Sequence, residues 1–171
     1  VSDPSEFTAR VRETTAALEA LRTAPFAPPW PCCADPGRSA AGEDFAIVAL
    51  RVSEDFPLGQ GDGDEGEGLD AAHEAFETER WGAVLALDER WGAHGHISTT
   101  EYEERDADGA DVPPFYAALI ELGYSGPLQT WDTDGRTVGI GVGQMDEEEP
   151  VVLYAVALAP CDESAPDHAE L

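Results

Sequence analysis

The sequence predicts an α+β fold: a mostly antiparallel sheet of four to five strands with two main helices on one face, in the order α-β-α-β-α-β-β-β. Three features predict it. Asp3-Pro4-Ser5-Glu6 opens an amphipathic segment. Residues 45–52 and 151–158 are apolar runs with the length of buried strands. Val138, Ile140 and Val142 alternate with Gly139, Gly141 and Gly143 after an Asp-Gly turn. The 171 residues are one domain's worth, and a globule of this size buries roughly 70% of its unfolded surface, so it folds without metal or disulfide. A single domain over residues 1–160 and a flexible acidic tail at 161–171 are expected.

In the first helix, Asp3 is the expected N-cap, Pro4 occupies N1, and Glu6 completes a capping box. Phe7, Val11, Leu18 and Leu21 form its apolar stripe with Thr14 in the gap, and Pro25 stops it. Residues 24–43 carry five prolines, which remove donors and fix φ, so an irregular crossing loop pinned by Phe26 and Trp30 is expected. A buried strand follows at 45–52, then a flexible, self-repelling loop at 53–68. Leu69, Ala72, Phe76, Ala83, Leu87 and Trp91 share helical spacing, which favours one long helix ended by Gly92; Gly82 is its weak point and leaves open a helix-then-strand division. Residues 96–102 read as an exposed strand leading into an acidic segment. Pro113-Pro114 opens a short helix with Phe115, Leu119 and Leu122 on its apolar face and Gly123 at its end. Residues 128–131, the turn Asp132-Thr133-Asp134-Gly135, the Val/Gly run and residues 151–158 make an antiparallel meander. The bare glycine face is expected against the long helix. The expected core includes Phe7, Val11, Leu18, Ile47, Leu50, Phe76, Leu87, Leu119, Val138, Ile140, Val142, Val152 and Tyr154.

The formal net charge is −27, and every basic residue is an arginine. Charge of this size repels nucleic acid and anionic membrane and steers basic surfaces inward over long range. Nucleic acid is therefore excluded as a direct ligand and a basic protein is favoured as partner. No membrane span or signal peptide is read, and a cytoplasmic protein with reduced thiols is expected. The lack of Lys and Asn is the bias of a GC-rich genome.

The chemistry-bearing motifs are sparse. His94 and His96 form a His-x-His pair with Asp88 or Glu101 as third donor, a spacing that zinc sites use; the competing reading is ordinary polar residues on a loop. Asp62-x-Asp64 and the run from Asp106 to Asp111 miss the acidic positions of a calcium loop. Gly139-x-Gly141-x-Gly143 has strand alternation and lacks dinucleotide-binding spacing. Cys32-Cys33 lacks a CxxC spacing and a basic neighbour in sequence, so packing is the expected role, and no role is assigned to Cys161. No cofactor and no catalytic group are expected.

Arg90-Trp91-Gly92, Trp131, the run from Val138 to Gln144, Asp146, Pro150 and Leu153 resemble a group of small acidic actinobacterial proteins with no assigned activity. The resemblance covers roughly the second half of the chain. It implies a high-GC bacterial source and carries no catalytic residue across.

Together these readings favour a non-enzymatic protein that docks or neutralises a basic partner, as an immunity protein does a nuclease toxin. The partner-binding candidates are Glu54, Asp55, Asp62, Asp64, Glu65, Glu67, Trp81, Tyr102, Glu103, Glu104, Asp106 and Asp108, with Trp30 as a further aromatic anchor. Two alternatives stay open: a small metal-binding protein or enzyme built on His94 and His96, and a structural or regulatory module whose acidity is only proteome bias or salt adaptation.

Overall fold

The structure, a computed structural model, describes residues 4–30, 32–53, 64–133, 135–145 and 149–159, with residues 64–69 described by their backbone alone. The expected cap Asp3 and the tail lie outside the described residues. Helix α1 (Pro4–Leu21) buries Thr14, Ala17, Leu18 and Leu21. Phe7 and Val11, expected in the core, are half-buried because they sit where α1 crosses α2 (Asp64–Trp91). The crossing point is Gly82: a Cβ there would meet Val11 Cγ2 at 2.7 Å and Phe7 Cζ at 3.2 Å. That close approach explains a glycine in an otherwise unbroken helix. Helix α2 begins at Asp64, so residues 64–68 belong to it and not to the preceding loop. It ends at Gly92, whose φ of +93° is the left-handed terminator the sequence implies.

The sheet has six strands, not four to five. They are β1 (Ala40–Ala41), β2 (Phe45–Val52), β3 (Gly95–Ser98), β4 (Pro127–Thr133), β5 (Arg136–Gln144) and β6 (Val151–Leu158), ordered β1-β2-β6-β5-β4-β3 and antiparallel throughout. The unexpected strand is β1, inside the proline-rich crossing. It follows a 3₁₀ turn (Pro36–Arg38) whose Gly37 amide donates to Asp35 Oδ1 at 2.9 Å. Both sheet edges are very short, two and four residues, which limits strand addition by another chain.

Residues 96–102 are not one strand. β3 stops at Ser98, and helix α3 (Thr100–Ala107) takes over. Glu101 and Glu103 lie in its first turn, where the helix dipole favours them, and Arg105 pairs with Glu101 at 2.6 Å, one turn apart. Thr99 is turned inward: its hydroxyl accepts from the Gly126 amide at 3.1 Å, fixing the strand-to-helix switch. Helix α4 (Pro114–Glu121) follows, with Gly123 at φ +78° beyond it.

The sheet separates two apolar layers. Helices α1 and α2 lie on one face over Val48, Leu50, Trp131, Val138, Ile140 and Leu153. On the other face, Phe115 and Leu119 of α4 pack with Ile47, Tyr124, Leu128, Tyr154 and Val156. The glycine expectation is reversed in direction. The branched residues of β5 meet α2, and the bare face of Gly141 and Gly143 receives the ring of Tyr124. Arg136 ties α1 to the sheet by donating to the carbonyls of Leu21 at 2.8 Å and Ala24 at 2.6 Å, with its guanidinium 4.1 Å over Phe26. These bonds satisfy carbonyls at a helix end that would otherwise lack donors. Among the described residues no helix is long and apolar enough to cross a membrane.

Candidate functional site

Three regions bear chemistry. The first is the acidic surface. Glu54, Asp55 and Asp62 lie outside the described residues, and Asp64, Glu65 and Glu67 are placed only as backbone at the start of α2. Glu103, Glu104 and Asp106 lie on α3, which buries no residue, and Asp108 caps its C-terminus. Tyr102 is half-buried, stacked on Tyr116 at 3.7 Å between ring centroids, so it joins α3 to α4 and is not an open anchor. Trp30 packs against the core.

Trp81 differs from both. It is 43% exposed, and Leu85, one turn on, is 67% exposed; with Met145 they are the exposed large apolar side chains among the described residues. Helical spacing puts Asp70, Glu74 and Glu77 on the same stripe before them and Asp88 after them. Seven of the nine arginines are paired to this chain's own carboxylates, Arg38 to Asp35 and Glu149 and Arg90 to Glu19 among them. The basic charge is spent inside the molecule, and the surplus acid faces solvent.

The second region is His94. Its backbone amide donates to Asp88 Oδ1 at 2.9 Å, and its ring Nδ1 stands 3.0 Å from Asp88 Oδ2. Trp131 Nε1 donates to the same carboxylate at 3.0 Å. Burial works to raise the Asp88 carboxyl; the hydrogen bonds from His94 and Trp131 and the His94 charge outweigh it and hold the group below the ordinary carboxylate range. Asp88 is thus the latch that holds the chain after α2 to β4. His96 is exposed on the edge strand β3, and Glu101 is committed to Arg105. Among the described residues no three His, Cys, Asp or Glu side chains stand in a metal-holding arrangement.

Replacing Asp88 by Ala strands the Trp131 indole N–H and two His94 donors, at an expected cost of about 1–3 kcal/mol at neutral pH. Because the folded carboxyl titrates below its unfolded value, its stabilisation is present above the unfolded value of roughly 3.9. It fades as pH falls through the folded one. The gap between wild type and Asp88→Ala in urea melts should therefore be full at pH 7 and narrowed at pH 3.

The third region was not legible in sequence. A cavity of about 310 Å³ opens between α1, α2, β2 and the proline-rich crossing. Glu79, only 1% exposed, forms its inner wall. One carboxylate oxygen accepts from the Thr14 hydroxyl at 3.0 Å, and the other pairs with Arg51 Nη1. Arg51 reaches Glu79 because β2 carries a bulge between Ala49 and Arg51. Strict alternation would place Arg51 with Phe45, Ile47 and Ala49 on the α4 side. The extra residue turns it to the helical side, where its guanidinium lies 4.7 Å over Phe76. Cys32 and Cys33 also line the cavity. Cys32 is exposed and holds a φ of +57°, a left-handed conformation that costs a non-glycine residue energy. Cys33 is tethered: its Sγ lies 3.4 Å from Ser39 Oγ, which donates to the Asp35 carbonyl and accepts from the Ala49 amide.

Compared with protein-family models, curated proteins and solved structures, the chain matches none of them.

Proposed function

We propose that this chain is a binding protein without catalytic chemistry of its own, which docks a basic protein partner on the outer face of α2. The observation that carries the reading is the exposure of Trp81 and Leu85, one turn apart and following Asp70, Glu74 and Glu77 on one stripe of the helix. Binding hot spots are enriched in tryptophan and ringed by groups that exclude water, and charge complementarity adds speed and selectivity of encounter. A second copy of the same chain is disfavoured as occupant, since each copy carries −27. A basic surface with an apolar side chain at its centre meets both demands. An immunity protein facing a basic toxin is the best-fitting class. The metal-binding alternative lacks a three-donor set among the described residues.

The test is capture from native lysate on immobilised protein, wild type against a Trp81→Ala/Leu85→Ala pair, eluted by a salt gradient. The expected result is one stoichiometric basic protein that resists about 0.15 M salt, where the screening length is about 8 Å. The double variant should release it at lower salt, with an affinity loss of about thirtyfold or more, the scale of a hot spot. A diffuse set of basic proteins leaving both columns together at low salt would show the acidity to be surface adaptation only.

A further inference from the structure

An exposed side chain on a helix ordinarily exchanges rotamers within picoseconds to nanoseconds. Trp81 is exposed, yet two fixed groups stand against its ring. The Arg80 guanidinium lies over it, 5.4 Å from the centroid. Arg80 is itself buried and ion-paired with Glu77, so it has little freedom of its own. The His94 ring meets Trp81 edge to face, with centroids 6.1 Å apart and planes at 68°. His94 stands in the short connection between α2 and β3, where a side chain would be loose without a tether. Asp88 is that tether. It accepts from the His94 amide at 2.9 Å and, since a carboxylate only accepts, from the ring Nδ1–H at 3.0 Å, so backbone and ring are both held. Trp131, on β4, donates to the same carboxylate at 3.0 Å and packs its ring on His94, 6.2 Å between centroids. A chain of contacts thus runs from the sheet through Asp88 and His94 to an indole that faces solvent.

We propose that His94 is a positioning residue for docking: it presets the Trp81 ring in the orientation that the basic partner meets, and Asp88 acts on Trp81 through it. The proposal rests on the docking reading above. An anchor that is fixed before encounter has no rotamer freedom left to lose on binding, and that saving corresponds to about two- to tenfold in affinity. Imidazole suits the task because it presents a flat ring to the indole and a donor to Asp88 at once. Asparagine would keep only the donor.

The test uses the free protein and needs no partner. Isotope labelling of tryptophan gives one indole N–H signal for each of the four tryptophans, and Trp81→Phe identifies that of Trp81 by its loss. In the wild type the Trp81 order parameter should be about 0.85, the value of a rigid N–H, and it should fall below about 0.6 when the support is removed. His94→Asn keeps a donor for Asp88 and takes away the ring, so it should free Trp81. Asp88→Ala keeps the ring and takes away its tether, so it should free Trp81 as well, and the double variant should free it no further. Leu119→Ala, in the apolar layer on the opposite face of the sheet, costs stability outside this chain of contacts and should leave Trp81 rigid. A Trp81 already mobile in the wild type, one unmoved by His94→Asn or by Asp88→Ala, or one freed equally by Leu119→Ala would each overturn the proposal. The two readings fail separately. If the variants free Trp81 but the immobilised wild type captures no basic protein, the docking reading falls; if a basic protein is captured and the order of Trp81 is indifferent to His94, the positioning role falls.

Discussion

Arg51→Met is expected to lower folding stability by about 3–5 kcal/mol, the range for breaking a buried pair from the side that leaves a charge uncompensated. Glu79→Gln should cost clearly less, although both changes break the same ion pair. The asymmetry follows from burial. The Glu79 side chain is 2% exposed and the Arg51 side chain 29%. Without Arg51, the carboxylate keeps only the Thr14 hydroxyl as a hydrogen-bond partner and almost no exposed surface of its own. Without the Glu79 charge, the guanidinium still lies over Phe76 and still reaches solvent. Met at position 51 retains the stem that covers the ring, so the measured loss reports charge more than packing. Domains of this kind are stable by only about 5–15 kcal/mol, so this one change takes a large share of the total. Urea melts of the two variants at neutral pH decide the matter. A Glu79→Gln loss equal to or above that of Arg51→Met would mean that water reaches Glu79 and that Arg51 is not its main support.

That pair also marks the limit of what the sequence displays. The elements that residues announce locally are found where expected: α1 from its apolar spacing, β2 and β6 from apolar runs, and the ends of α2 and α4 from glycines that take positive φ. The long helix survives Gly82 because the glycine is a contact with α1, a fact that lies on another segment of the chain. What stayed hidden depends on distant partners. Thr14 and Glu79 are 65 residues apart, and Arg51 and Glu79 are 28. In sequence Glu79 is one of 36 acidic residues. Alternation assigns Arg51 to the wrong face of β2, since a bulge leaves no mark in residue type. Cys32 and Cys33 have no basic neighbour in sequence; Arg51 lines the same cavity, on a side of β2 that it reaches through the bulge. The α3 helix was hidden differently. The Glu101–Arg105 spacing is visible, but Ile97, Thr99 and Thr100 are strand formers, and the Thr99–Gly126 bond that ends the strand is long-range. Of the partner-binding candidates, Trp81 is exposed on α2, whereas Tyr102 is stacked on Tyr116. The aromatic residue type was readable; its exposure was not.

Gly141→Ala is the second large effect, expected to cost about 3 kcal/mol, at the upper end of the overpacking range. Sequence alternation makes one face of β5 bare, and the fold fills that face with Tyr124. A Cβ at 141 would overlap the Tyr124 hydroxyl and come within 2.7 Å of Leu128 Cδ2. The ring cannot retreat easily. Its hydroxyl donates to the Pro127 carbonyl at 2.7 Å, its edge packs on Tyr154 at 5.9 Å between centroids, and it also crosses Gly143. Burial pushes the Tyr124 hydroxyl far above its ordinary value, which reports the same tight enclosure. Relief by moving β5 would disturb its pairing with β4 and β6, where Gly141 faces Tyr154 in register. The cost should therefore belong to the Tyr124–Gly141 pair and not to β5 alone. Tyr124→Ala by itself removes a buried aromatic at about 3–5 kcal/mol. In the double variant the alanine at 141 finds the space vacated by the ring, and the combined loss should fall short of the sum by at least about 1 kcal/mol. Chemical denaturation of the wild type, the two single variants and the double variant closes that cycle. Strict additivity would mean that the glycine serves the strand's backbone and that the tyrosine is seated elsewhere.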